Sequence, residues 1–242
     1  MNKKMGEMNM SILRSEGTRP ALSARPGFPG ERLLGACLVL ALSAALLAGC
    51  AGLKRPAVEK RHFDLRPERS ERFEHQAAPV GAPNLRLRRV QVSPLCSGRE
   101  MVFRSAGAAF NSDYYNTWFV PPADMLGQGL RQWLENSGLF AHVLDDASMA
   151  GATLTLEGTA NALYGDFSGS APVAVVEMQF LLLDESTAHN DIVFSGSYEE
   201  RVPLASEAPS ELASGLRRGV GAVFARLEAD LAKITPLAAP QP

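Results

Sequence analysis

An uncharged run from Leu33 to Leu53 lies between Arg32 and Lys54, and it decides how much of the 242-residue chain is available to a folded domain. Its apolar heart is Leu33 to Leu47, and six Lys or Arg precede it against three acids. A basic stretch, an apolar core and small residues at the end are the three parts of a secretory signal peptide. A single transmembrane helix is the alternative reading, because about 20 apolar residues span a bilayer. The short, Ala-rich core and its Gly-Cys ending favour the signal peptide. The basic leader is long for such a peptide, so Met8 or Met10 is an alternative start.

The run closes on Leu47-Ala48-Gly49-Cys50, which resembles the bacterial lipobox, whose cysteine is acylated and becomes the first residue of the mature chain. That resemblance implies covalent lipid on Cys50, no other cofactor, and an anchor strengthened by about 0.8 kcal/mol per buried methylene. Ala51-Gly52 follows the cysteine, where lipoproteins retained at the inner membrane commonly carry Asp. The implied address is the inner leaflet of the outer membrane, with the protein on the periplasmic side. The chain therefore divides into a signal peptide (1–49), a lipidated tether (50–60), one folded domain (61–235) and a disordered tail (236–242).

Charge and cysteine usage narrow the function classes. The net charge of −2 becomes −5 once residues 1–49 are set aside, with 18 basic and 23 acidic residues remaining. No cationic excess exists to neutralise a phosphate backbone, so nucleic acid is not an expected partner. Cys37 leaves with the signal and Cys50 carries lipid, so Cys96 stands alone and the domain must be held by packing. Nothing around Cys96 suggests a lowered thiol pKa, and it reads as a structural or incidental thiol.

Along the domain, His62 to Leu65 alternates briefly as a first strand, and the charged stretch from Arg66 to Pro83 reads as a loop. Leu85 and Leu87 share one parity while Val90 and Val92 take the other, which predicts a strand broken by a bulge near Arg88-Arg89. Met101 to Arg104 is a strand, and Ser105 to Ser112 a turn. Tyr114 to Phe119 carries four rings in six residues and ends at Pro121-Pro122, which opens a helix. Leu126, Leu130, Trp133 and Leu134 then share one helical face before Gly138.

Leu139 to Leu144 is a short strand. Three longer ones follow at Thr153 to Tyr164, Val173 to Leu183 and Ile192 to Val202, the first alternating Leu154, Leu156, Ala160 and Ala162. They suggest an antiparallel meander covered on one face. Leu212, Leu216, Val220, Val223, Leu227, Leu231 and Ile234 mark a long amphipathic helix that should lie on the sheet. The expectation is a single α+β domain: a mixed, largely antiparallel sheet with two amphipathic helices on one face.

Catalytic signatures are not found. The histidines at 62, 75, 142 and 189 are too dispersed for metal-ligand spacing. Gly165-Asp166-Phe167-Ser168-Gly169 lacks the nucleophile-elbow spacing and reads as a hairpin turn. Asp145-Asp146 and Glu199-Glu200 read as solvated charges, as do Arg88-Arg89 and Arg217-Arg218. The segment Tyr114 to Phe119 has two readings, core packing beneath the first helix or an exposed partner surface. No enzymatic activity is expected.

The order of these features resembles the ABC-type transport auxiliary lipoproteins, the partners of MCE-type lipid transport systems. The resemblance rests on the lipobox, His62-Phe63-Asp64-Leu65, Val102-Phe103-Arg104, Tyr114 to Trp118, Pro121, Met125-Leu126 and the closing helix, and it spans nearly all of residues 50–235. Phe103-Arg104 stands at the family's Tyr-Arg step, and Phe119-Val120 follows Trp118 where small or acidic residues are commoner. The resemblance implies a lipid-anchored accessory component that docks a transport bridge at the outer membrane. Its partners would be an MCE-domain protein with its transport complex and the outer-membrane inner leaflet; a homo-oligomer is compatible with it. Phe103, Arg104, Tyr114, Tyr115, Trp118 and Pro121 are the candidate contacts. A lipoprotein that assembles or chaperones an outer-membrane barrel or lipopolysaccharide is the runner-up, and a lipid-anchored hydrolase the third reading.

Overall fold

A computed structural model describes residues 35, 37–40, 43, 59–67, 69 and 77–234. Cys50, with most of the expected tether, and the expected tail at 236–242 lie outside the described residues. The chain divides into two compact units, Met1–Ala57 and Val58–Pro242. In the first, the described residues between Gly35 and Ser43 are helical, with Leu38, Val39 and Leu40 well exposed. The Ser43 hydroxyl donates to the carbonyls of Val39 and Leu40 at 3.0 Å, which spares this apolar turn an unpaired hydroxyl. No helix among the described residues is long and apolar enough to cross a membrane.

The second unit is an α+β domain built on one sheet. Its strands are β1 (Arg61–Phe63), β2 (Asn84–Leu87), β3 (Gln91–Val92), β4 (Glu100–Arg104), β5 (Phe110–Trp118), β6 (His142–Asp145), β7 (Leu154–Asp166), β8 (Val173–Asp184) and β9 (Asp191–Pro203). Its helices are α1 (Pro122–Glu135) and α2 (Pro209–Ile234).

Strands β7, β8 and β9 form the expected antiparallel meander. The other edge of β7 takes three short parallel partners in turn: β2 against Leu154 to Leu156, β3 against Thr159-Ala160, and β4 against Gly165-Asp166. Beyond β2 lies β6, parallel; beyond β4 lies β5, antiparallel, and then β1, parallel to β5. The sheet is therefore mixed, with the long pairings antiparallel and the short ones parallel. Strands β1 and β9 stand at opposite edges.

Two breaks in alternation set which side chains enter the core. Leu85 and Leu87, then Val90 and Val92, all pack inward although their parities differ, because the chain leaves the ladder between β2 and β3. A bulge at Asn161 likewise shifts β7, so Ala160 and Leu163 point inward and Ala162 does not continue the inner row. The turn expected over Ser105 to Ser112 is shorter: Ser105's N–H bonds Ala109's carbonyl, and β5 is under way at Phe110.

Both helices cover the same face. Pro121 and Pro122 open α1, and its buried row is Met125, Leu126, Leu130, Trp133 and Leu134. Leu212, Leu216, Val220, Val223, Leu227 and Leu231 bury one side of α2 against β8 and β9. Gly215 and Gly219 let α2 approach closely, since a Cβ at Gly219 would stand 2.8 Å from Val176 Cγ2. Glu228 joins the helices: it accepts from Trp133 Nε1 at 2.6 Å and pairs with Arg69. The Tyr198 hydroxyl donates to Asp230 at 2.8 Å, tying β9 to α2. The opposite face of β7 to β9 carries exposed polar groups at Glu177, Gln179 and Glu199, and buries Thr155, Val175 and Asp166.

Candidate interaction surface

The aromatic segment lies where β5 leaves regular pairing. Met101 stands opposite Asp113, yet Glu100 stands opposite Thr117, so Tyr114, Tyr115 and Asn116 are extra residues on β5. The Asp113 carboxylate takes up groups the ladder drops, accepting from the N–H of Tyr115 at 2.9 Å, the N–H of Asn116 at 3.0 Å and Asn116 Nδ2 at 2.7 Å. The bulge pushes two rings outward: Tyr114 is 62% exposed and Tyr115 45%, meeting edge to face at 5.3 Å.

Past the bulge the chain turns inward, and Trp118 is 2% exposed. Its N–H bonds Arg99's carbonyl and its own carbonyl accepts from Arg99 Nε at 3.1 Å. Trp118 therefore belongs to the core and cannot itself face a partner, which separates it from the tyrosines it was grouped with. Phe119 is 67% exposed, packs edge-on against His62 at 6.3 Å and donates its N–H to Phe63's carbonyl. Pro121 is half-buried, and its carbonyl receives the first N–H groups of α1, so its role is to start that helix.

The other two candidates also serve the fold. Phe103 points inward and stacks on Phe167 at 5.5 Å, beside a hollow of about 260 Å³ bounded by Met101, Asp113 and Leu212. Arg104 points to the open face and pairs with Asp166, which also accepts from Arg201 at 3.1 Å and from the Ser168 hydroxyl at 2.6 Å. Asp166 thus links β4, β7 and β9. The Arg104 guanidinium, then the Ser168 hydroxyl, hold its carboxyl well below the usual carboxylate range.

Sequence reasoning put Asp166 in a turn, because Gly-Asp-Phe-Ser-Gly has turn composition; the strand runs through Asp166 and the turn begins after it. It also left Phe119 outside the contact set and gave Lys60 to the tether. The signal for Phe119 was its place among the four rings.

Cys96 is buried and free, and burial pushes its thiol up, against an easily formed thiolate. No group of three His, Cys, Asp or Glu among the described residues is placed to hold a metal. A groove of about 520 Å³ runs between Leu87, Arg88, Val90, Asp124 and Gly127, but Arg88 faces Glu157 at 3.7 Å and the adjoining Arg89 pairs with Asp124.

A single mixed sheet backed by two helices, with exposed rings beside Lys60, defines a compact α+β domain. The chain belongs to the family described as the ABC-type transport auxiliary lipoprotein component, whose model matches residues 63–228. It is thus a transport-associated auxiliary lipoprotein, membrane-anchored in the cell envelope. The crystal structure of protein XCC0632 from Xanthomonas campestris is similar at a TM-score of 0.60 and 16% identity, covering 73% of this chain and 97% of that one. Another crystal structure, described only as an uncharacterized protein, gives a TM-score of 0.55 at 15% identity, covering 72% and 99%. These likenesses confirm the α+β fold. No curated protein matches the sequence.

Proposed function

We propose that the protein is a periplasmic accessory component, anchored by lipid on Cys50 to the outer membrane, that docks an ABC/MCE-type lipid transport bridge. It acts by binding and carries out no covalent chemistry. The supporting observation is that the family match covers nearly the whole folded unit, from Phe63 to Glu228, directly after a tether that follows a lipobox-like cysteine. Anchoring confines the domain to a surface and raises its effective concentration near any partner that reaches that membrane. Of the six candidate contacts, Tyr114 and Tyr115 remain as surface groups, while Trp118, Phe103, Arg104 and Pro121 hold the scaffold beneath them.

The test is capture from detergent-solubilised membranes on a C-terminally tagged full chain, with the captured proteins identified. An MCE-domain protein together with a permease and an ATPase supports the reading. Capture of barrel-assembly or lipopolysaccharide-export proteins in their place overturns it.

A further inference from the structure

We infer that the exposed rings of Tyr114, Tyr115 and Phe119, with Val120, form a seat for the bilayer surface itself, so the domain rests on its membrane in one orientation. The inference deepens the reading above and rests on its lipid anchor. Three observations carry it, beginning with continuity. Lys60 Nζ lies 3.6 Å from the centre of the Tyr114 ring, His62 packs on Phe119, and Arg61 between them bonds Asn116 at 3.0 Å. The end of the tether therefore runs across the aromatic surface.

Reach is the second. From Cys50 to Lys60 the backbone spans at most about 33 Å, so the surface that Lys60 crosses can stand no farther than that from lipid on Cys50. The third is chemistry. Phe119 is 67% exposed and Val120 36%, large apolar groups left in water. The tyrosines present an apolar ring with a wet hydroxyl, the pairing that places Tyr at the membrane interface. Lys60 and Arg61 stand beside Glu59, and Asp113 spends its carboxylate on the bulge. At the rings themselves these charges balance, so ring insertion rather than attraction to anionic lipid supplies the contact there, and zwitterionic phospholipid suffices; Lys54 and Arg55 belong to the tether and not to the seat.

An orientation follows. Because β1 and β9 are opposite edges, seating the β1 side places β9 away from the bilayer. Among the described residues β9 pairs only with β8, so in this orientation its second ladder edge, 13 residues long, faces the periplasm. Such an edge can accept an added strand.

The experiment uses the full, lipid-processed chain in phosphatidylcholine vesicles with or without brominated acyl chains, which quench indole on contact. Wild-type Trp118 and Trp133 are buried and give the background. Phe119→Trp adds an indole at the seat, and Ile192→Trp adds one at the exposed start of β9. The added emission of Phe119→Trp should fall at least twofold in brominated vesicles and stay so at high salt, while that of Ile192→Trp should not change. Protein that floats with the vesicles but shows no quenching at position 119, or equal quenching at both positions, overturns the seat and leaves the anchor standing. A blue shift at position 119 that is the same in both lipids shows a second chain covering the ring, and also overturns it. Protein that fails to float overturns the anchor and the seat together.

Discussion

Replacing Trp118 by Ala separates the buried part of the aromatic segment from its surface. A Trp side chain buries about 150–250 Å², which at about 25 cal/mol per Å² gives an upper bound of about 4–6 kcal/mol. Truncating a buried Trp costs about 3–5 kcal/mol in practice, and Trp118, at 2% exposure in the hydrophobic core, should fall in that range. For a domain of this size each kcal/mol moves Tm by about 2–4 °C, so Trp118→Ala should lower Tm by about 6–20 °C. Tyr115→Ala removes a ring that is 45% exposed, and its shift should stay within about 2 °C. Circular dichroism melts of the two full-chain variants in detergent provide the comparison. A Trp118→Ala protein that melts within 2 °C of wild type would refute the placement of that side chain in the core.

Three further outcomes follow from the packing and the ion pairs. Gly127→Ala and Gly219→Ala both gain up to about 1 kcal/mol of helix propensity, but the new Cβ at 127 meets nothing closer than 4.0 Å whereas that at 219 stands 2.8 Å from Val176. Val176 is fully buried and stiff at χ1, so the first change should raise Tm and the second lower it by an overpacking cost of about 1–3 kcal/mol; matching signs in a thermal melt would contradict the close approach of α2. Glu228→Ala leaves Trp133 Nε1 and Arg69 without that carboxylate, and denaturant titration should show a loss of about 1.5–3 kcal/mol, the scale of charge-assisted hydrogen bonds.

The pH dependence turns on Asp166. Its folded carboxyl titrates below the unfolded value of about 3.9, so in that interval the unfolded chain binds more protons and stability rises with pH. The contribution is complete above the ordinary carboxylate range and is lost as pH falls toward the folded value. Asp166→Asn should be less stable at pH 7 and show a shallower acid slope below about pH 4, the remainder belonging to groups such as Asp230, also held low by Lys233 and Tyr198. An unchanged acid slope in the variant would sink the assignment.

Much of the fold could be read where a periodic pattern meets a single environment. Seven apolar residues at helical spacing outline α2, and the Pro pair with Leu126, Leu130, Trp133 and Leu134 outlines α1. The meander was legible from the alternation of Val176, Met178, Phe180 and Leu182 in β8. The parallel partners of β7 were not, because β2, β3 and β4 are two to five residues long and their pairing is fixed by contacts some 60–70 residues away in sequence. Nor was the outward turn of Tyr114 and Tyr115 beside the inward turn of Trp118, since it depends on a bulge held by one aspartate. Rings in a short segment show that something apolar is being placed; only the local backbone says on which side.

The central claim is that this auxiliary lipoprotein holds its domain at a membrane through acyl chains on Cys50. Intact-mass and N-terminal peptide mass spectrometry of the protein purified from its native membrane tests it most directly. A mature chain beginning at an acylated Cys50 is the expected result, and a chain that retains residues 1–49 with an unmodified Cys50 would contradict it.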